Sequence, residues 1–181
     1  MQRNSIRPSP LNCDEVDKIW LHVAGQLGFT VSRSDEAYAS SDGHGTILIG
    51  TAETLDADDC VAQLVFHELC HALVEGEQNL VQVDWGLANT DDRDISREYA
   101  TLRLQAHFAD KFGMRVLFAP TTQWRPYYAE LAEDPLQGTD LAAGIVEETL
   151  QTALTRRWQP VLESALARTQ VALQTKINTP L

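Results

Sequence analysis

His67-Glu68-Leu69-Cys70-His71 places two imidazoles four residues apart, with a carboxylate directly after the first, in a chain that has five histidines in all. At about 100° per residue in a helix, the two imidazoles lie ~40° apart on one stripe and can reach one metal ion. Glu68 is about 100° round from His67, where it can take a proton from a water at such an ion without ligating the ion itself. Val61, Ala62, Val65, Leu69, Ala72 and Leu73 cluster roughly opposite the histidines, which predicts a separate core face. The plainer alternative is a pair of solvated histidines on a helix surface.

A third residue argues against that alternative. On the next predicted helix, Glu98 falls among Ile95, Leu102, Ala109 and Phe112, all within about 60° of its own direction. A carboxylate on an apolar stripe needs a partner, since an unpaired buried charge is severely unfavourable. A metal shared with the two histidines would serve, and so would an ion pair with Arg93, Arg97 or Arg103. Asp94 is the reserve ligand, Asp91 and Asp92 are more natural helix caps, and His107 points about 180° away from Glu98.

These residues need elements to hold them. Val16, Ile19, Trp20, Val23 and Leu27 recur at helical spacing over residues 14–27, with Gly28 as a stop. The β-like pieces FTVSRS, EAYAS and GTILIG follow, the last two separated by the turn sequence SDGHG. A helix is predicted from about Asp56, through an acidic first turn, to Glu75 and Gly76. Another runs from Asp94 to Phe112 and closes at Gly113, and two C-terminal helical segments are predicted to break near Pro160. The expected class is α+β with helices predominant, as a single domain over residues 1–181.

Composition narrows the partners. Asp and Glu outnumber Lys and Arg by 26 to 14, a formal net charge of −12, which disfavours nucleic acid and weakly favours basic peptides. No apolar run approaches the ~20 residues that span a bilayer, and the opening residues are polar, so a soluble, unexported chain is expected. Cys13, Cys60 and Cys70 form no paired framework, which points to a reducing cytoplasm.

The motif together with Glu98 resembles the zincin metallopeptidases, in the gluzincin branch, and the order of helix, small sheet, HExxH helix and glutamate helix is similar to the minigluzincins. The resemblance covers about residues 14–113 and leaves about 114–181 as a helical C-terminal extension. It implies a zincin-like fold in which His67, His71 and Glu98 ligate zinc and Glu68 activates water for peptide hydrolysis. The chain has YATLRLQ where an Asn-x-x-Ala-Asp continuation after Glu98 would complete the gluzincin pattern. HELCHALVEGE, VDWG, DDR, Glu98 and LQA are also distantly similar to the elongation factor P hydroxylases, which implies non-haem iron chemistry as the alternative; GYWY and PDGR of that family are here DWGLAN and DDR. A degenerate zincin that binds a partner without turnover is a third possibility. An active cytoplasmic peptidase would need narrow specificity or a regulatory partner.

Around the motif, Tyr127, Tyr128 and Arg125 are candidates for substrate binding and oxyanion stabilisation. GTILIG is a candidate open edge for an extended peptide, or equally an interior strand. Thr101 and Gln105 lie on the Glu98 side of their helix, in reach of Glu98 or a histidine that they could orient, although polar residues on a helix surface usually orient nothing. Cys70 reads as a small hydrophobe, Cys60 as too distant for the ion, His44 as a solvated turn residue and Trp85 as a loop anchor.

Overall fold

The computed structural model describes residues 13–56, 58–88 and 92–177. Residue Asp91, the side chains of Cys13 and Asp92, and the polar opening segment lie outside the described set. Helix α1 (Cys13–Gln26) turns Val16, Ile19, Trp20 and Val23 inward at the predicted spacing. Strands β1 (Thr30–Ser34), β2 (Ala39–Ser41) and β3 (Thr46–Gly50) form one sheet in the spatial order β1-β3-β2.

β1 runs parallel to β3 with Val31 opposite Ile47, and β2 runs antiparallel to β3 with Ser40 opposite Leu48. The SDGHG turn closes the β2–β3 hairpin because Asp42 Oδ1 accepts hydrogen bonds from the backbone of His44 (2.7 Å) and Thr46 (2.9 Å). β3 is therefore the central strand, not an open edge: both of its sides are already hydrogen-bonded, so no peptide can add to it. On the far side of β2, a bridge joins Asp42 to Val83, and Gly43 sits against that loop. A Cβ at Gly43, whose φ is 72°, would meet the backbone of Gln82 and Val83 at 2.8 Å.

Helix α2 spans Val61–Glu75 and begins at Val61 instead of the expected Asp56, with no acid in its first turn. The local acid is engaged elsewhere: Asp59 accepts from Tyr38, from Thr121 and from the backbone of Asp56. Asp17 of α1 takes over the cap, accepting from the Ala62 amide at 2.8 Å. Every α2 residue except His67 is buried. The helix thus has no separate core face opposite its histidines, because α1, the sheet, a third helix and a fifth all press on it.

That third helix, α3, spans Ile95–Asp110 after a single turn at Asp92–Asp94. Helices α4 (Arg125–Glu130), α5 (Leu141–Gln151) and α6 (Ala153–Ile177) complete the α+β architecture. The break between the last two is at Thr152, not Pro160. The Thr152 backbone is extended, and its hydroxyl donates to the Thr149 carbonyl (2.9 Å) while accepting from the Thr155 amide (3.1 Å), ending one helix and starting the next. Pro160 is accommodated within α6.

The ring of Trp20 packs on Phe66 (centroids 4.6 Å apart), which packs on Phe118 (4.9 Å), and the Trp20 indole donates to Thr169 of α6. Leu154, Trp158, Leu162 and Leu166 belong to the same buried cluster, so the C-terminal helices share the core of the motif helix. Among the described residues, no helix is long and apolar enough to cross a membrane.

Candidate metal centre

α2 and α3 pack side by side, and their contact brings one ligand atom each from His67, His71 and Glu98 within 4.8 Å of one another. The two Nε2 atoms are 3.1 Å apart; Glu98 Oε1 lies 3.5 Å from His67 Nε2, and Oε2 lies 3.1 Å from His71 Nε2. Tetrahedral zinc with bonds of ~2.0–2.1 Å separates its ligand atoms by ~3.3 Å, so the observed spacings suit such an ion. Two of the guanidinium groups considered as partners for Glu98 are engaged elsewhere, Arg97 with Glu75 (3.1 Å) and Arg103 with Asp140 (2.7 Å).

Each imidazole is oriented from behind. His67 Nδ1–H donates to Gln105 Oε1 at 2.8 Å, and the Gln105 amide is itself oriented because its Nε2 donates to the Phe118 carbonyl. Thr101 Oγ1 lies 3.2 Å from His71 Nδ1. With Nδ1 occupied, Nε2 of each ring is the nitrogen left to bind an ion. Of the two readings open for Thr101 and Gln105, the contacts favour the one in which they orient the histidines. Their signal was the stripe they share with Glu98, at three and seven residues' distance.

Glu98 Oε1 is buried and receives no hydrogen bond. Two imidazole nitrogens and a carboxylate with an orphaned oxygen, converging on one point, make a donor set that a divalent cation completes by displacing the proton between His71 and Glu98. Within the protein, burial acts to raise the Glu98 pKa and lower that of His71, but their mutual attraction wins. Glu98 is held below the carboxylate range and His71 above the imidazole range. Burial and the charge on His71 push His67 down.

Glu68 is 3% exposed, and burial lifts its carboxyl to about 7 against the charge of His71 and a hydrogen bond from Trp85. That bond, from the indole Nε1 to Glu68 Oε2, is 2.7 Å long. Trp85 is buried as expected of a loop anchor, yet its indole also holds the candidate base, a role no spacing rule indicates. Trp85 and its neighbour Asp84 have φ values of 56° and 51°, the only positive values among described residues other than glycine.

The centre opens into a cavity of about 150 Å³. Tyr127, Tyr128 and Arg125 do not line it, which corrects their assignment to substrate or oxyanion binding. Tyr127 stacks on Tyr99 with centroids 3.7 Å apart and accepts from Arg103 Nε; Tyr128 donates to the Arg115 carbonyl; Arg125 pairs with Asp58 at the surface. Packing of α4 on α3 turns these groups away from the cavity. Tyr38 and Trp124 supply its aromatic walls instead.

Asp94 accepts from the Ala88 amide at 2.7 Å and is not a ligand. His107 packs near Phe108, and His44 is exposed. The Cys70 thiol is fully buried, with its pKa pushed up, and neither it nor Cys60 joins the cluster. Compared with protein-family models, curated proteins and solved structures, the chain matches none.

Proposed function

We propose that this chain is a zinc-dependent hydrolase of peptide bonds built on a zincin-like frame. The observation that carries the reading is the convergence of His67, His71 and Glu98 at ion-binding spacing in one cavity with Glu68, a buried carboxyl close to neutrality. Zinc bound there supplies Lewis acidity, bringing the pKa of a water down towards ~7 and polarising a carbonyl.

The rest of the chemistry belongs to the chain. A carboxyl with a pKa near the working pH can both take a proton from the attacking water and return it to the leaving amine. Trp85 holds Glu68 Oε2, leaving Oε1 as the oxygen that exchanges the proton. Gln105 and Thr101 keep Nε2 of each histidine turned to the ion. Walls formed by Leu64, Leu87, Pro120 and Trp124 limit water around the reacting groups.

A second reading, a non-haem iron hydroxylase, uses the same three ligands. It is favoured by the cavity, which at about 150 Å³ suits one small group better than a length of extended chain. Metal analysis of the purified protein separates the two: zinc supports the hydrolase and iron the hydroxylase. His67→Ala and Glu98→Ala are expected to lose the metal. Glu68→Gln is expected to keep it while losing peptide cleavage. A Glu98→Ala variant that binds metal as the wild type does would remove the basis of both readings.

A further inference from the structure

Three carboxylates line the cavity, Glu68, Asp84 and Glu98, and no lysine or arginine does so among the described residues. Glu98 is a ligand and Glu68 the base in the reading above, which leaves Asp84 without an assigned task. The two positive charges of a single bound divalent cation would offset two of the three carboxylates and leave one negative charge facing whatever enters. A confined cavity with an excess negative charge favours a cationic occupant and rejects an anionic one.

Asp84 is placed with unusual care for a loop residue. It adopts φ 51°, a left-handed conformation that aspartate tolerates better than most residues and that is retained where surroundings force it. Ser40 of β2 donates to its Oδ1 at 3.2 Å, the Asp42–Val83 bridge ties its loop to the hairpin, and Trp85 anchors the other side in the core. The aromatic rings of Tyr38 and Trp124 line the same cavity, and an aromatic face also attracts a cation.

We infer that Asp84 is the specificity-determining carboxylate of this site and that it pairs with a protonated amine on the substrate, either a basic side chain or a free amino terminus. The inference rests on the metal-hydrolase reading and adds a substrate class to it.

Hydroxamates, which bind a metal through their own oxygens, test this without any need for turnover. The probes are the hydroxamates of N-acetyl-norleucine, N-acetyl-lysine, N-acetyl-glutamate and norleucine with a free amino group, titrated calorimetrically into zinc-loaded protein. At least one amine-bearing probe is expected to bind about ten-fold or more tighter than N-acetyl-norleucine, with N-acetyl-glutamate weakest. Gain with N-acetyl-lysine identifies a basic side chain; gain with free norleucine identifies an amino terminus. Asp84→Asn, which can keep the left-handed turn and the Ser40 bond, is expected to reduce either gain to less than about two-fold at unchanged zinc stoichiometry. Equal affinity of amine-bearing and uncharged probes, or a gain that survives in Asp84→Asn, overturns the inference while leaving the metal site standing. Failure of every hydroxamate to bind zinc-loaded protein overturns the hydrolase reading and this inference with it.

Discussion

Gln105→Leu is the substitution that most directly separates a built metal site from a chance meeting of two histidines and a glutamate. Gln105 is fully buried and makes two bonds, accepting from His67 Nδ1 and donating to the Phe118 carbonyl. Leucine fills nearly the same volume but leaves both of those groups unsatisfied, at ~1–3 kcal/mol each. The folded state should therefore lose ~2–6 kcal/mol, with part of that recovered if His67 rotates. Rotation is what would harm the site, because Nε2 then no longer faces Glu98. Removing a residue that orients a ligand typically costs ~10–100-fold in metal affinity. Zinc affinity measured by competition with a chromophoric chelator, beside thermal unfolding of the chelated protein, reads both effects. Gln105→Glu is the informative companion: it still accepts from His67 but cannot donate to Phe118, so it should lose stability while largely keeping zinc. A folded Gln105→Leu protein that binds zinc within two-fold of the wild type would refute the idea that this side chain orients the ligand.

Two further outcomes are expected. The Asp17→Ala change removes the carboxylate that caps α2 from α1 and should lower stability by ~0.5–2 kcal/mol in chemical denaturation, despite lying outside α2; no change would mean that water caps Ala62 equally well. In chelated protein, His71 is raised above its ordinary 6.5, so its contribution is complete below that pH and fades as pH rises past it. Glu98 is depressed below its ordinary 4.5, so its contribution is complete above that pH and fades as pH falls. The pair therefore stabilises most between 4.5 and 6.5, and because zinc competes with the His71 proton, the rise in Tm on adding zinc should be larger at pH 8.5 than at pH 6. A rise that shrinks with pH would contradict this pairing.

What the sequence determined by itself lies within single elements. Four residues of helix bring His67 and His71 to one stripe whatever surrounds them, and Glu68 follows one residue on. Seven residues bring Gln105 under Glu98 in the same way. The hairpin turn at SDGHG was legible for a similar reason, since Asp42 bonds to backbone groups only two and four residues ahead. What depended on distance in the chain was decided by packing. Glu98 instead of Asp94 joins the two histidines because α3 lies against α2 at that register, while Asp94 turned to the Ala88 amide. α2 started at Val61 because Asp59 was drawn to Tyr38 and Thr121 and a carboxylate from α1 supplied the cap. Tyr127 and Tyr128 left the cavity because α4 packs them on α3 and Arg115, and Trp85 reached Glu68 through a left-handed turn that no periodicity encodes. Helix geometry repeats every residue and so can be read locally. The meeting of two elements depends on which buried groups satisfy one another, and that is settled only when the whole core closes.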